Sequence, residues 1–350
     1  MIDFATEYSQ VNWTDVKIDR KAKRIDVTLR VNLTDGGAKG LDCNTYTTEK
    51  EESYETFTPT NSQDPFAGIK ITQCDWDKIP AKVISTYKMT PIKIRTKTFE
   101  ELKTYALKGL EHYWGRNSNR GKNAIIDGVV YEVFVNAINE TDKNKSMDDI
   151  PLVYHTNGDW GRSGNPASPI FNAIPDTGIV QQISYNTGHI HRDWYIDPLG
   201  LDGWRYQTEI DSIGLGIYDA ISEFKETAAH EIGHEILQAY HGAIFSWQHK
   251  GSSYLNQETK PTEADKSTLN KIAEHIPLAP YISVIKPVDS MPASKGEYYP
   301  KAPNEIDLMK YYNSHDKDDK FIAGSDLSRT FAAENDVLGL IWLTKLKIKQ

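Results

Sequence analysis

The sequence predicts an α+β chain: a mostly-β N-terminal region over residues 1–95, then a larger mixed part over 96–350 built around one long helix. Three observations lead there. Residues 24–33 alternate polar and apolar positions through Ile25, Val27, Leu29, Val31 and Leu33, the period of a half-buried strand. Residues 98–113 open on Thr98 and Glu101, a capping box, and carry Leu102, Tyr105, Ala106, Leu110 and Tyr113 along one helical face. From Ile217 through Ile221, Phe224, Ala228, Ile232, Ile236 and Leu237 to Tyr240, apolar residues recur every three to four positions, and Gly242 follows as a helix stop.

The remaining elements follow in order. Thr34-Asp35-Gly36-Gly37 reads as a turn after the first strong strand. Residues 47–65, rich in Thr, Glu, Ser and Pro, read as an exposed loop. Residues 125–138 read as a hairpin turning at Asp127-Gly128. A polar loop spans 139–149, and a short strand follows over 150–155. The stretch 158–175 is crowded with Gly, Pro, Ser and Asn and reads as loop, and residues 178–186 alternate again. The length of 350 residues fits one large or two ordinary domains.

Composition narrows the class. Charged residues make up 25% and hydrophobic residues 39%, the balance of a globular chain. The net charge of −9 argues against nucleic acid as a partner, because a binder presents a basic face. The basic run from Lys17 to Arg24 reads as a solvated strand and turn. No apolar run approaches the ~18 residues that read as a membrane span. The opening Met-Ile-Asp-Phe-Ala-Thr-Glu-Tyr has no basic region followed by an apolar one. The expected location at synthesis is therefore the cytoplasm, with leaderless export left open. Cys43 and Cys74 have no C-x-x-C partners, and either a disulfide between them or two free thiols fits.

The chemistry sits in the long helix. Residues 230–234 read His-Glu-Ile-Gly-His. On a helix, positions i and i+4 share a face, so His230 and His234 can grip one metal ion. Zinc is the expected ion, since two imidazoles leave room for a third ligand and a water. Glu231 can reach that water as a general base. The plainer alternative is an amphipathic helix with two surface histidines.

Three kinds of residue could supply the third ligand. His249 lies beyond Gly242, on a loop that can fold back, and ranks first. His241 ranks second. An unbroken helix puts it ~10 Å along the axis from His234, too far to share one ion unless the helix bends, and a helix C-terminus favours a histidine electrostatically in any case. A carboxylate, Glu258, Glu263 or Glu274, ranks third. His189 and His191, two apart, could host a second metal on one face of a strand, although a solvent-facing pair is the commoner arrangement. Trp160, Trp194, Trp204 and Trp247 fit either the lining of a cleft or the core of a loop-rich region.

Residues 305–312, Glu-Ile-Asp-Leu-Met-Lys-Tyr-Tyr, add a second signal. The pentad with a downstream Met-x-Tyr resembles the metzincin clan of zinc endopeptidases, one branch of the zincin metallopeptidases. The resemblance covers roughly residues 220–315. It implies a zincin-like catalytic domain, with Met309 in a turn beneath the metal and Tyr311 assisting the transition state. Metzincins continue H-E-x-x-H-x-x-G-x-x-H, whereas this chain has Leu237 at the glycine position and Tyr240 at the third histidine. The succession of Tyr113–Arg116, Gly161–Pro166, His230–Ile236, His249–Ser253 and Glu305–Tyr312 also resembles metallopeptidase modules that accompany bacterial type VI secretion spike proteins.

The expected function is that of a zinc metallopeptidase, an endopeptidase acting on protein or peptide. Its catalytic residues would be Glu231 and Tyr311, and its ligands His230, His234 and His249, with His241 as the alternative third. The second resemblance implies a secreted bacterial toxin or effector, with a spike protein and a cognate inhibitor or immunity protein as partners. Two other functions share the motif: a zinc amidase or endopeptidase acting on peptidoglycan, and a non-catalytic binding or adaptor module with structural zinc. Against the latter, a structural site has no need of Glu231 and would fill its fourth position with protein. Zinc peptidases of this broad type bind extended substrate along an edge strand, a role the resemblance offers to 178–186.

Overall fold

The computed structural model describes residues 11–41, 53–55, 70–72, 81–88, 92–156, 161–165, 180–192, 204–207, 210–211, 218–242, 245–246, 249–252, 298–312, 326–344 and 347–349. Cys43, Cys74, Trp160, Trp194, Trp247, Glu258, Glu263 and Glu274 lie outside them. The strands are β1 (Thr14–Asp19), β2 (Arg24–Lys39), β3 (Ser53–Glu55), β4 (Lys70–Thr72), β5 (Ala124–Ile126), β6 (Val129–Asn139), β7 (Asp149–His155) and β8 (Ile183–Asn186). They continue with β9 (His189–Arg192), β10 (Trp204–Gln207), β11 (Ile210–Asp211), β12 (Tyr218–Asp219), β13 (Ile306–Asp307), β14 (Thr330–Phe331) and β15 (Lys347–Lys349). The helices are α1 (Ala81–Tyr87), α2 (Phe99–Trp114), α3 (Ala220–His241) and α4 (Glu334–Trp342). The fold is α+β, a curled mixed sheet with helices against it.

The sheet is organised by β2. Its first half lies antiparallel to β1 and parallel to β6, and its second half runs parallel to β7, which continues the sheet to β8. Arg30 of β2 donates its N–H to Trp13 (2.8 Å) and accepts from Met147 N–H (3.1 Å). Both backbone groups of one strand residue point to the same edge, so β1 and the chain leading into β7 follow one another along one side of β2. Beyond β1 lies the parallel strand β15. Strands β1 and β2 of the N-terminal region therefore share one sheet with the later strands β5 to β8 and β15, and one hydrophobic core with helices α2, α3 and α4.

The predicted turn at 34–37 is instead part of β2. Gly37 takes φ 78, donates its N–H to Asp35 Oδ1 (3.0 Å), and the register with β7 slips between Asp35 and Ala38. A left-handed glycine in a strand makes a bulge when pairing resumes beyond it. The bulge lets one 16-residue strand serve two sets of neighbours. The hairpin expected at 125–138 forms as β5 and β6 around Asp127-Gly128.

Local signals place α2 and α3. Thr98 and Glu101 make both reciprocal bonds of the capping box at the start of α2. The Asp219 carboxylate caps α3 by accepting from the N–H groups of Ile221 and Ser222. Phe224 of α3 sets its ring edge-on to Tyr185 of β8, centroids 5.6 Å apart, which docks the helix on the sheet. The two helices pack against each other where Gly109 meets Lys225. A Cβ on Gly109 would stand 2.2 Å from the Lys225 carbonyl oxygen, and backbone cannot yield there. Gly109→Ala is therefore expected to destabilise the protein by about 1–3 kcal/mol through overpacking, despite the ~1 kcal/mol that alanine adds in an open helix. Urea unfolding measures it, and unchanged stability would mean that the helices part freely. Among the described residues, no helix is long and apolar enough to cross a membrane.

Candidate metal centre

Helix α3 runs unbroken through the pentad to His241, with His230, Glu231 and His234 all buried in its middle. The chain then turns back, and His249 opens a short 3-10 turn over His249–Gly251. One side-chain nitrogen from each of His230, His234 and His249 lies within 4.8 Å of the others. The ring centroids stand 4.9 Å (230–234), 5.2 Å (230–249) and 4.7 Å (234–249) apart. Three histidines are thus close enough to hold one metal ion.

The hydrogen bonds around the rings decide which nitrogens face inward. His230 Nδ1 lies 2.7 Å from the Leu308 carbonyl, which can only accept. His234 Nδ1 lies 3.1 Å from both the carbonyl and the hydroxyl of Ser246, and that hydroxyl donates its own proton to the His234 carbonyl at 2.6 Å. Both Nδ1 atoms must therefore carry the proton, which leaves each Nε2 with a lone pair. His230 Nε2 is buried and hydrogen-bonds to nothing among the described residues. Two neutral imidazoles with free Nε2 lone pairs, together with the ring of His249, are a donor set that fits a metal ion.

Sequence-predicted residues divide as follows. His249 joins the cluster. His241 ends α3 exposed and borders a separate pocket of about 430 Å³ that Tyr240 and Phe245 also line. Tyr311 stacks on His249 with centroids 4.0 Å apart and stands 5.8 Å from His230, and it is 37% exposed, so it sits at the mouth of the cluster. Met309 is fully buried beneath the ligand-bearing turn of α3. A Cβ on Gly233 would come within 2.5 Å of Met309 Sδ and 2.9 Å of the Trp114 ring, so the glycine of the pentad is what lets that methionine approach. The backbone of His189 and His191 lies in β9, paired with β10, where Trp204 begins.

The 305–312 segment is pinned from several sides. Arg116, at the end of α2, makes a bidentate pair with Glu305 (2.9 and 3.0 Å) and donates to the Ala332 carbonyl. Burial pushes the Glu305 carboxyl up, but Arg116 and Lys122 together outweigh it and hold the group below its usual range. β13 pairs with β14, which delivers the Leu308 carbonyl to His230. Trp114, also buried, donates its indole N–H to the Ala229 carbonyl at 3.1 Å, one residue before the pentad.

The edge expected to receive substrate is not bare. Gly164 and Gln182 exchange both backbone hydrogen bonds (2.9 and 3.0 Å), and Ser184 N–H bonds Ser163 Oγ. Residues 161–165 thus line the second edge of β8, whose side chains are all buried. The Asn165 amide ties this segment to α3 by donating to the Glu231 carbonyl at 3.0 Å. Repeated Gly, Ser and Asn made the segment read as loop, and its single bridge gave no alternation to detect.

Burial shapes the titration of the site. It pushes His234 down to about 3 and lowers His230, keeping both imidazoles neutral as ligation requires. It pushes the carboxyls up: Glu231 and Glu235 to about 8, Glu226 to about 7. For Glu231, Arg162 and the Asn165 backbone N–H oppose that push. The two sets act oppositely on the metal-free protein. The imidazoles bind fewer protons folded than unfolded, so their contribution grows with pH and is complete above about 6.5. The carboxyls bind more protons folded, so theirs is complete below about pH 4.5 and is lost as pH rises through 7 to 8. Melting in the presence of a chelator is therefore expected at progressively lower temperature between pH 6.5 and 8.5. A midpoint rising across that window would contradict the burial of the three carboxyls.

No protein-family model, curated protein or solved structure matches the chain. Its function has to be read from the site itself.

Proposed function

We propose that the protein is a zinc-dependent endopeptidase with a zincin-like site. The observation that carries the reading is the convergence of His249 on His230 and His234, which flank Glu231 on one buried helix, with the Nδ1 atoms of the two helical histidines tied to backbone acceptors. His230, His234 and His249 would hold the ion. When bound, zinc would supply a polarised scissile carbonyl and a water acidified toward neutrality.

The chain's own residues do the rest. Glu231 takes the proton of the attacking water and hands it to the leaving amine, a task for the ionised carboxylate, which burial disfavours and which Arg162 and the charge of a bound ion would favour. The Tyr311 hydroxyl, at the exposed mouth, donates to the oxyanion that develops on the carbonyl. Asn165 anchors the segment 161–165 against α3. Gly164 turns its backbone groups to β8, so those of Ser163 face the other edge, where an extended substrate main chain can add. Arg162, exposed on that segment and near Glu231, gives the entry a positive charge.

The test is hydrolysis of labelled casein and of a mixed peptide library by the full chain. Cleavage that stops with 1,10-phenanthroline and returns with zinc is the expected result. Release of cross-linked muropeptides with no cleavage of either protein substrate would move the assignment to peptidoglycan. Metal binding without hydrolysis of any of these would favour a structural site.

A further inference from the structure

The turn that presents His249 is unfavourable by itself. His249 has φ 49 and Lys250 φ 60, two consecutive non-glycine residues in the left-handed region. Side chains with a Cβ avoid that region, and two in succession need outside support. The support is visible. Lys250 Nζ lies 2.5 Å from Asp307 Oδ2 and 2.8 Å from Asp336 Oδ2. The lysine side chain is 12% exposed and that of Asp336 1%.

Each carboxylate reaches on into a different part of the fold. Asp307 Oδ1 accepts the Met309 N–H at 3.0 Å, in the segment whose Leu308 carbonyl holds His230. Asp336, on α4, accepts the Tyr240 hydroxyl at 2.6 Å, from the last turn of α3. A lysine ammonium is a compact charge with three donors, suited to bridging two carboxylates.

We propose that Lys250 is the positioning residue of the metal centre. Clamped between Asp307 and Asp336, it holds the left-handed turn that aims the His249 ring at His230 and His234. The proposal rests on the reading that these three histidines hold a metal. Lys250 touches neither ion nor substrate and acts through His249.

The test uses the full chain, stripped and reloaded with Co²⁺ for its visible absorption, with Zn²⁺ affinity measured by competition against a chromophoric chelator. Lys250→Gly is the informative variant, because glycine adopts the turn without strain yet removes the clamp. It is expected to fold, to bind Zn²⁺ at least about tenfold more weakly, the loss typical of an outer support to a ligand, and to shift the Co²⁺ bands toward those of His249→Ala. Lys250→Arg is expected to recover part of the affinity. Asp336→Asn keeps the Asp307 pair and should weaken binding less than Lys250→Gly, which guards against a variant that does not fold. Parent affinity and parent bands in folded Lys250→Gly would overturn the proposal, even with a lowered melting temperature. A parent that binds neither Co²⁺ nor Zn²⁺ would overturn the metal-site reading beneath it, a separate outcome.

Discussion

Glu231→Gln is expected to lower peptide-bond hydrolysis by about 10²–10⁴-fold, the usual span for loss of a general base, while zinc stays bound near parent affinity. The amide keeps the shape of the carboxyl but cannot accept a proton at neutral pH. The residue is buried within α3 and makes no part of the three-histidine cluster, so the ligand set is untouched. Paired turnover assays and metal analysis on the same preparation check both halves. Activity within a few-fold of the parent would remove Glu231 from the mechanism, and loss of metal along with activity would make it a ligand or a structural support.

His249→Ala is expected to cost more metal affinity than any outer support does, beyond the about 10–100-fold typical of such partners, and His241→Ala to cost none. The contrast follows from geometry. His249 brings its ring to 4.7 Å from His234, whereas His241 sits exposed at the end of an unbroken helix. Zinc per chain, measured for both variants against the parent, reads the difference. Loss on changing His241 instead would require α3 to bend beyond His234.

What could be read from the chain follows how local each signal is. The capping box at Thr98 and Glu101, the hairpin at Asp127-Gly128 and the 3.6-residue period through α3 are set within a few residues, and the structure carries them. His230 and His234 are joined by helix geometry alone. His249 needed only a loop that returns, and helix length was enough to rank it above His241. The bulge at Gly37 was hidden because turn and bulge use the same glycine, and only a partner strand tells them apart. Arg116 with Glu305, and Lys250 with Asp307 and Asp336, join residues 57 to 189 positions apart, without motif or spacing to announce them.

The order of these parts along the chain has a consequence for biosynthesis. Ribosomes release the N-terminal portion first, and domains fold as their segments emerge. All three imidazoles are out by residue 249, but the carboxylate of Asp336 and strand β15, which lies beside β1, come well after them. A nascent or truncated chain that stops short of residue 336 carries every ligand yet lacks half of the clamp on the third. Full support of the third imidazole would then wait for the segment that carries Asp336, well after the last of the three rings has emerged.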